Sequence, residues 1–157
     1  MKINWKALIV SILIPLGVGA LAAFLTGGNM EIFDTIQKPP LSPPGWLFPV
    51  VWTILYTLMG ISSYLVYTSN APKEKIRGAL TLYGLQLAVN FFWSIIFFNL
   101  RAYLFAFYWL VLLWVLIILT IISFWKISKP AAILLIPYLL WVTFAGYLNY
   151  AIYLLNM

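Results

Sequence analysis

The stretch KPPLSPPGWLFPVVWTILY, from Lys38 to Tyr56, is the most informative part of this chain. Its first half holds two proline pairs, and each proline fixes its own φ angle and disfavours helix in the residue before it. In its apolar second half, Phe48, Trp52 and Tyr56 recur every four residues, so they share one face of a helix. The stretch therefore predicts a stiff, extended loop that leads directly into a helix with an aromatic stripe.

The composition around this stretch is that of a membrane protein. The chain has 157 residues, of which 65% are hydrophobic and only 8% are charged. Soluble domains carry about 25% charged residues. The length fits a single domain, residues 1–157, because too little polar sequence remains for a separate soluble module.

Five apolar segments approach or exceed the roughly 20 residues that cross a bilayer as a helix. The predicted fold is therefore all-α, an integral membrane bundle of five transmembrane helices. We expect one long first loop over residues 27–45 and spans near residues 6–26, 46–68, 79–98, 102–124 and 130–154.

The first span also has some features of a cleaved signal peptide. Lys2 and Lys6 precede the apolar run, and Ala20-Leu21-Ala22 is similar to a cleavage site. The run continues through Leu25, however, which makes it long for a signal peptide. We therefore interpret it as a retained span.

The basic residues are distributed unevenly between the two sides of the predicted bundle. Lys38 and Arg101 fall on one side, and the other side carries Lys2, Lys6, Lys73, Lys75, Arg77, Lys126 and Lys129. The positive-inside rule then predicts a cytoplasmic amino terminus, in a bacterial cell membrane, with the first loop outside. This topology accounts for the net charge of +6, so the charge does not indicate a nucleic-acid partner.

The residue types that are missing restrict the chemistry. The chain has no histidine and no cysteine, which argues against zinc sites, thiol nucleophiles and imidazole bases. Its acids are Glu31, Asp34 and Glu74, all in predicted loops, so paired-carboxylate hydrolysis is not expected. Apart from Lys6 at the very start of the first span, no charged residue lies inside a predicted span, which counts against an ion-coupled transporter. We expect no metal and no cofactor.

Polar side chains in the third span lie on one helical face. Gln86, Asn90, Trp93 and Phe97 follow one another at spacings of three and four. An amide that faces lipid leaves its donors and acceptors unpaired, so Gln86 and Asn90 should point into the bundle. Interhelical hydrogen bonds and a role in a ligand pocket are both open interpretations.

The fifth span repeats this arrangement after a proline. Tyr138, Trp141, Ala145 and Leu148 share a face, and Pro137 should loosen the helix near its start. A small residue such as Ala145 leaves space beside Trp141. That space suits either close helix packing or a pocket, and the pattern does not separate the two.

The first loop is too long for a simple connector, because loops above about 12–15 residues tend to be functional or disordered. Its prolines argue against full disorder. It is either a lid over a pocket, with Lys38, Pro39, Pro43 and Pro44 as candidate lid residues, or an exposed rigid connector.

Three motifs in this order resemble the translocator protein (TspO/MBR) family, also called tryptophan-rich sensory proteins or peripheral benzodiazepine receptors. They are the proline loop through Tyr56, QLAVNFFWS at residues 86–94 and PYLLWVTFAGYLN at residues 137–149. The resemblance implies a five-helix bundle, usually a homodimer. It also implies a pocket, closed by the first loop, for porphyrins and, in animals, for cholesterol and benzodiazepine-type drugs.

The resemblance also implies which residues line that pocket. The carried-over residues are Trp52, Asn90, Trp141, Phe144, Ala145 and Leu148, and the stripes described above add Tyr56, Trp93 and Tyr138. The chain departs from the family at Leu41, where tryptophan is common, and at Phe33, where tyrosine is common. Its carboxyl end has Leu148 and Tyr150 but no basic residue after them, so the sterol motif is incomplete.

The function that the resemblance implies is a membrane receptor for porphyrins, such as protoporphyrin IX, and for other lipophilic aromatic ligands. It would have a regulatory or stress-sensing role in tetrapyrrole metabolism, as a homodimer among membrane lipids. One alternative is a light- and oxygen-dependent enzyme that degrades porphyrin, with Trp52 and Trp141 as the catalytic residues. Others are a transporter of tetrapyrroles or lipids and a passive scaffold.

Overall fold

The computed structural model describes residues 2–27 and 35–157, and in these ranges the regular structure is helical throughout. Five of its helices are long and apolar enough to cross a membrane, which confirms the predicted all-α, five-helix class. The elements are α1 (Trp5–Thr26), α2 (Leu47–Tyr67), α3 (Lys73–Ser94), α4 (Tyr103–Trp125), α5 (Lys129–Leu134) and α6 (Ile136–Leu155). A π-helical turn, Ile95–Asn99, extends α3, and α5 and α6 together form the last span.

The helices begin and end where local chemistry allows. At the start of α1, the Asn4 side chain accepts a hydrogen bond from the Ala7 N–H at 3.1 Å, which satisfies one of the free amides of the first turn. Helix α3 begins at Lys73, earlier than the apolar segment predicted from residue 79, because its charged first turn is helical although it is not apolar. The apolar residues indicate which part of the helix contacts lipid. The helical hydrogen bonds of the backbone can continue beyond that part.

The last span is broken near its proline. The helix is interrupted at Leu135, whose N–H donates to the Ala132 carbonyl at 3.0 Å, and α6 begins at Ile136 with Pro137 in its first turn. Proline lacks an N–H and its ring crowds the carbonyl four residues earlier, so a break immediately before Pro137 is the expected response.

Helices α1 and α2 approach each other closely at Gly60. A Cβ added at Gly60 would collide with the backbone of α1 at Ser11 and Ile12, so only glycine allows this approach. Gly19 plays a similar role, because it lies directly against the ring of Tyr56. At Gly84, by contrast, no atom of the described residues lies within 4 Å of an added Cβ, the surrounding helix backbone apart.

Hydrogen bonds link the remaining helices across the bundle. The Ser62 hydroxyl donates to the Ala131 carbonyl oxygen at 2.6 Å and so joins α2 to α5. The Trp109 indole of α4 donates to the Val89 carbonyl oxygen of α3 at 2.7 Å. Among the described residues, the backbones of α2 and α6 do not pack closely against each other. These two helices are in contact through their aromatic side chains. This loosely packed pair of helices borders a cavity in the bundle.

Candidate ligand-binding site

A cavity of about 610 Å³ lies between α1, α2, α3 and α6. Ligand pockets in proteins measure about 300–1,000 Å³, so this volume suits a small organic molecule. Residues of the second half of α1, the first half of α2, the end of α3 with its π-turn, and the middle of α6 form its walls.

Aromatic rings make up the walls contributed by α2, α3 and α6. Trp52 stacks on Tyr56, with ring centroids 5.4 Å apart and an interplanar angle of 29°. Phe48 meets Trp141 edge-on at 5.8 Å, which connects α2 to α6. These contacts hold the rings in place, so a flat ligand would meet a preformed aromatic surface.

The wall contributed by α1 consists mainly of small residues. Gly19, Ala20 and Ala23 line the cavity, and Ala20 and Ala23 are exposed, as are Pro49 and Thr53 on α2. The cavity therefore opens sideways between α1 and α2. Sequence reasoning missed this wall, although the run GVGALAA at residues 17–23 was a signal for it, because small residues serve close packing and open space equally well.

Six of the nine residues expected in the pocket lie in the cavity wall: Trp52, Tyr56, Trp93, Trp141, Ala145 and Leu148. Phe144 instead lines a shallow groove on the outer face of the bundle, together with Leu140 and Ile54. Asn90 and Tyr138 lie one layer behind the wall and are almost completely buried, at 2% and 1% exposure.

Asn90 is bonded to protein groups on both sides. Its Oδ1 accepts from the Tyr56 hydroxyl at 3.1 Å, and its Nδ2 donates to the Tyr138 Oη at 2.7 Å. The Tyr138 hydroxyl donates in turn to Gln86 Oε1 at 2.6 Å. Both polar atoms of Asn90 are thus bonded to protein groups in a buried network, of which Tyr56 is the member that lines the cavity.

Asn149 is a cavity residue that sequence reasoning did not select. Its Oδ1 accepts from the Trp93 Nε1–H at 3.0 Å, and its Nδ2 donates to the Tyr103 carbonyl oxygen at 2.8 Å. The amide therefore fixes the orientation of the Trp93 ring, which also stacks on Phe97. Asn149 ends the third motif, but nothing in the sequence pairs it with Trp93.

Trp141 differs from Trp93 in its hydrogen bonding. Its Nε1 is buried and has no hydrogen-bond partner among the described residues, whereas the indoles of Trp93, Trp109 and Trp114 all donate to protein oxygens. Trp141 lines both the cavity and the outer groove, while its Nε1 itself is buried. No group of three or more metal-binding side chains occurs within the described ranges.

The described part of the first loop is fastened to α6. The side-chain amide of Asn156 bonds both backbone groups of Gln37, and the Tyr147 hydroxyl donates to the Pro40 carbonyl oxygen at 2.9 Å. Of this described segment only Gly45 lines the cavity, and the candidate lid residues Lys38, Pro39, Pro43 and Pro44 do not. Phe33, Glu31 and Asp34 lie outside the residues that the structure describes.

Comparison with known proteins agrees with this architecture. The sequence model of the TspO/MBR family matches residues 11–155. The tryptophan-rich protein TspO of Chlorobaculum tepidum is 44% identical over 124 residues, which cover 79% of this chain and 78% of that protein. The protein of the same name from Archaeoglobus fulgidus is 40% identical over 154 residues, or 98% of this chain and 99% of that protein.

An animal protein is also similar. The translocator protein of Ovis aries is 36% identical over 149 residues, which cover 93% of this chain and 88% of that protein. Together with five helices of membrane-spanning length, these matches confirm the resemblance that the three motifs indicated. The chain is an integral membrane protein that belongs to the TspO/MBR family.

Proposed function

We propose that this protein is a membrane receptor that binds porphyrins, protoporphyrin IX in particular, and other lipophilic aromatic ligands, with a regulatory or stress-sensing role in tetrapyrrole metabolism. The observation that carries the proposal is the shape of the cavity wall. Aromatic rings of α2, α3 and α6 face small residues of α1, which leaves a slot suited to a flat ring system.

A cavity inside a membrane selects its ligand by more than apolar burial. A ligand dissolved in lipid gains little from apolar burial, because lipid tails are as apolar as the cavity. Selectivity must then come from shape, from stacking, worth about 0.5–1.5 kcal/mol per aromatic pair, and from a few hydrogen bonds.

A titration in the dark tests this function. Detergent-purified protein is titrated with protoporphyrin IX while tryptophan quenching is followed, beside the double variant Trp52→Phe/Trp141→Phe. The matched control is Trp5→Phe/Trp125→Phe, because both of these tryptophans are exposed and neither lines the cavity. We expect saturable binding that only the cavity variant weakens. Quenching that does not saturate and is equal in all three proteins means partition into detergent and contradicts the proposal.

Light-dependent degradation of porphyrin is a second candidate, because Trp52 and Trp141 line the same cavity and could react there with a photo-oxidised ligand. Dioxygen would be the oxidant. The test is loss of porphyrin absorbance under illumination in air, with a dark sample and an oxygen-free sample as controls. Equal loss with wild type and the Trp52→Phe/Trp141→Phe variant would show photobleaching without catalysis.

Orientation and assembly are also proposals. The charge distribution favours a cytoplasmic amino terminus in a bacterial cell membrane, and the family resemblance favours a homodimer. Since the chain contains no cysteine, single variants such as Lys2→Cys and Lys38→Cys can be labelled in intact cells with a membrane-impermeant maleimide. Labelling of residue 38 alone is expected, and labelling of residue 2 alone would show the opposite topology.

The dimer is tested separately, by measuring the mass of the protein–detergent complex.

A further inference from the structure

The cavity is open to the surroundings of the bundle between α1 and α2. Four of its lining residues are exposed there, Ala20 and Ala23 of α1 and Pro49 and Thr53 of α2. At a rise of 1.5 Å per residue, they lie about 3–9 Å inside the ends of the two helices that adjoin the first loop. Both helices are long and apolar enough to span a membrane, so this opening, which we call the portal, faces the bilayer near its surface on the first-loop side.

The two helices are held together on one side of the portal only by close contacts that glycine permits. Gly60 of α2 lies against the backbone of Ser11 and Ile12, and Gly19 of α1 lies against the ring of Tyr56. Both contacts are farther from the first loop than the portal is. Nearer the loop, the α1 residues that line the cavity are all small, so no bulky side chain of that wall fills the gap.

The side chains at the portal cannot close it by rotating. Alanine and proline have no side-chain rotamers that could swing across the gap. The Thr53 hydroxyl donates to the Pro49 carbonyl oxygen at 2.6 Å, which satisfies its donor within its own helix. No charged residue lines the cavity within the described ranges, so an apolar molecule that passes the portal displaces no hydrated charge.

The described part of the first loop is held by α6 while the portal is open. Asn156 bonds the backbone of Gln37, and Tyr147 bonds the Pro40 carbonyl oxygen. The portal residues are exposed with these bonds in place. A route through the portal therefore does not require the described loop segment to move.

We propose that a lipophilic ligand enters and leaves the cavity sideways through the portal, from the bilayer, and not from the water past the first loop. The inference rests on the proposed function, which gives the cavity a ligand that dissolves in lipid. The depth of the portal suits a flat amphipathic molecule, because aromatic ring systems with a polar edge collect at the level of the lipid head groups. Such a molecule reaches the aromatic slot by moving in the plane of the membrane.

Since the chain contains no cysteine, a removable obstruction can be attached at the portal. Ala23→Cys in lipid nanodiscs is labelled with benzyl methanethiosulfonate, and dithiothreitol removes the label afterwards. Stopped-flow tryptophan quenching measures the association of protoporphyrin IX in the dark, and release is measured into an excess of empty phosphatidylcholine vesicles. The matched control is Leu21→Cys, at nearly the same depth on α1, because Leu21 is 51% exposed and does not line the cavity.

We expect the label on Ala23→Cys to slow association and release alike, each about tenfold, and dithiothreitol to restore both rates. The same label on Leu21→Cys should change neither rate. Slowing in both directions identifies an obstructed route, because the loss of contacts inside a site acts mainly by making release faster.

The other outcomes separate the portal from the proposed function. If wild type shows no saturable quenching, the receptor proposal fails and the portal fails with it. If wild type binds but the label leaves both rates unchanged, or makes release faster, the ligand does not pass the portal and only this inference is overturned. Thr53→Cys, with the exposed Val50→Cys as its control, repeats the test from α2 with the same predicted sign should Ala23→Cys fail to fold.

Discussion

Asn156 binds the backbone of Gln37 at two points, although the two residues lie 119 positions apart in the chain. Its Oδ1 accepts from the Gln37 N–H at 3.1 Å, and its Nδ2 donates to the Gln37 carbonyl oxygen at 2.9 Å. One side-chain amide thus makes the two hydrogen bonds that the backbone of a neighbouring β-strand would make to this residue. It joins the last residues of the chain to the loop that leads towards α2.

Removing this pair should loosen the described part of the loop. In Asn156→Leu, both backbone groups of Gln37 lose their partner, and each such bond contributes about 1 kcal/mol. Hydrogen exchange over residues 36–41 should become several-fold faster, as measured by mass spectrometry in detergent. Tyr147→Phe removes only the bond to Pro40 and should have the smaller effect. Unchanged exchange in both variants would mean that packing alone holds the loop.

Gly60→Ala should destabilise the protein. The added methyl group would meet the backbone of Ile12, which has no side-chain freedom to move away, so α1 must shift. Overpacking of this kind costs about 1–3 kcal/mol, which a melting experiment in detergent would detect. The matched control is Gly84→Ala on α3, where the space is open and melting should be unchanged or slightly higher. Equal melting of the two variants would contradict the close approach of α1 and α2.

Gly19→Ala should weaken ligand binding more than it affects stability. Its methyl group would displace the ring of Tyr56, which stacks on Trp52 in the cavity wall. We expect several-fold weaker binding of protoporphyrin IX in the dark titration. Gly17→Ala is the control two residues away, because nothing lies within 4 Å of its added Cβ. Equal affinity of both variants would show that the Tyr56 ring adapts without cost to the site.

Asn149→Leu should destabilise the end of the cavity. The substitution leaves the Trp93 N–H and the Tyr103 carbonyl oxygen without their partner, and a buried unsatisfied group costs about 1–3 kcal/mol. A double-mutant cycle with Trp93→Phe separates the indole bond from the rest. If the melting shifts of the two single variants simply add, Asn149 does not act on Trp93.

Helix rotation explains why the pocket residues were only partly predicted. Successive residues of an α-helix point about 100° apart. Ala145 therefore lines the cavity while its neighbour Phe144 faces the outer groove, although both lie in one motif. Asn90 and Tyr138 have the correct spacing for an inward face, but their depth behind Tyr56 depends on how three helices meet.

The class of the fold and the number of spans could be predicted from the amino-acid sequence. In lipid every backbone polar group needs an internal partner, so long apolar segments must be helical, and bilayer thickness sets their length. The aromatic stripe of Phe48, Trp52 and Tyr56 was also predicted from the sequence, because a spacing of four residues places side chains on one face of a helix.

The residues that each inward-facing helix surface contacts could be seen only in the tertiary structure. It turned the small residues of α1 into the fourth cavity wall, paired Trp93 with Asn149, and left the indole N–H of Trp141 without a partner among the described residues. It also brought Asn156 to Gln37. These contacts depend on the rotation and separation of helices far apart in the chain, and no local pattern carries that information.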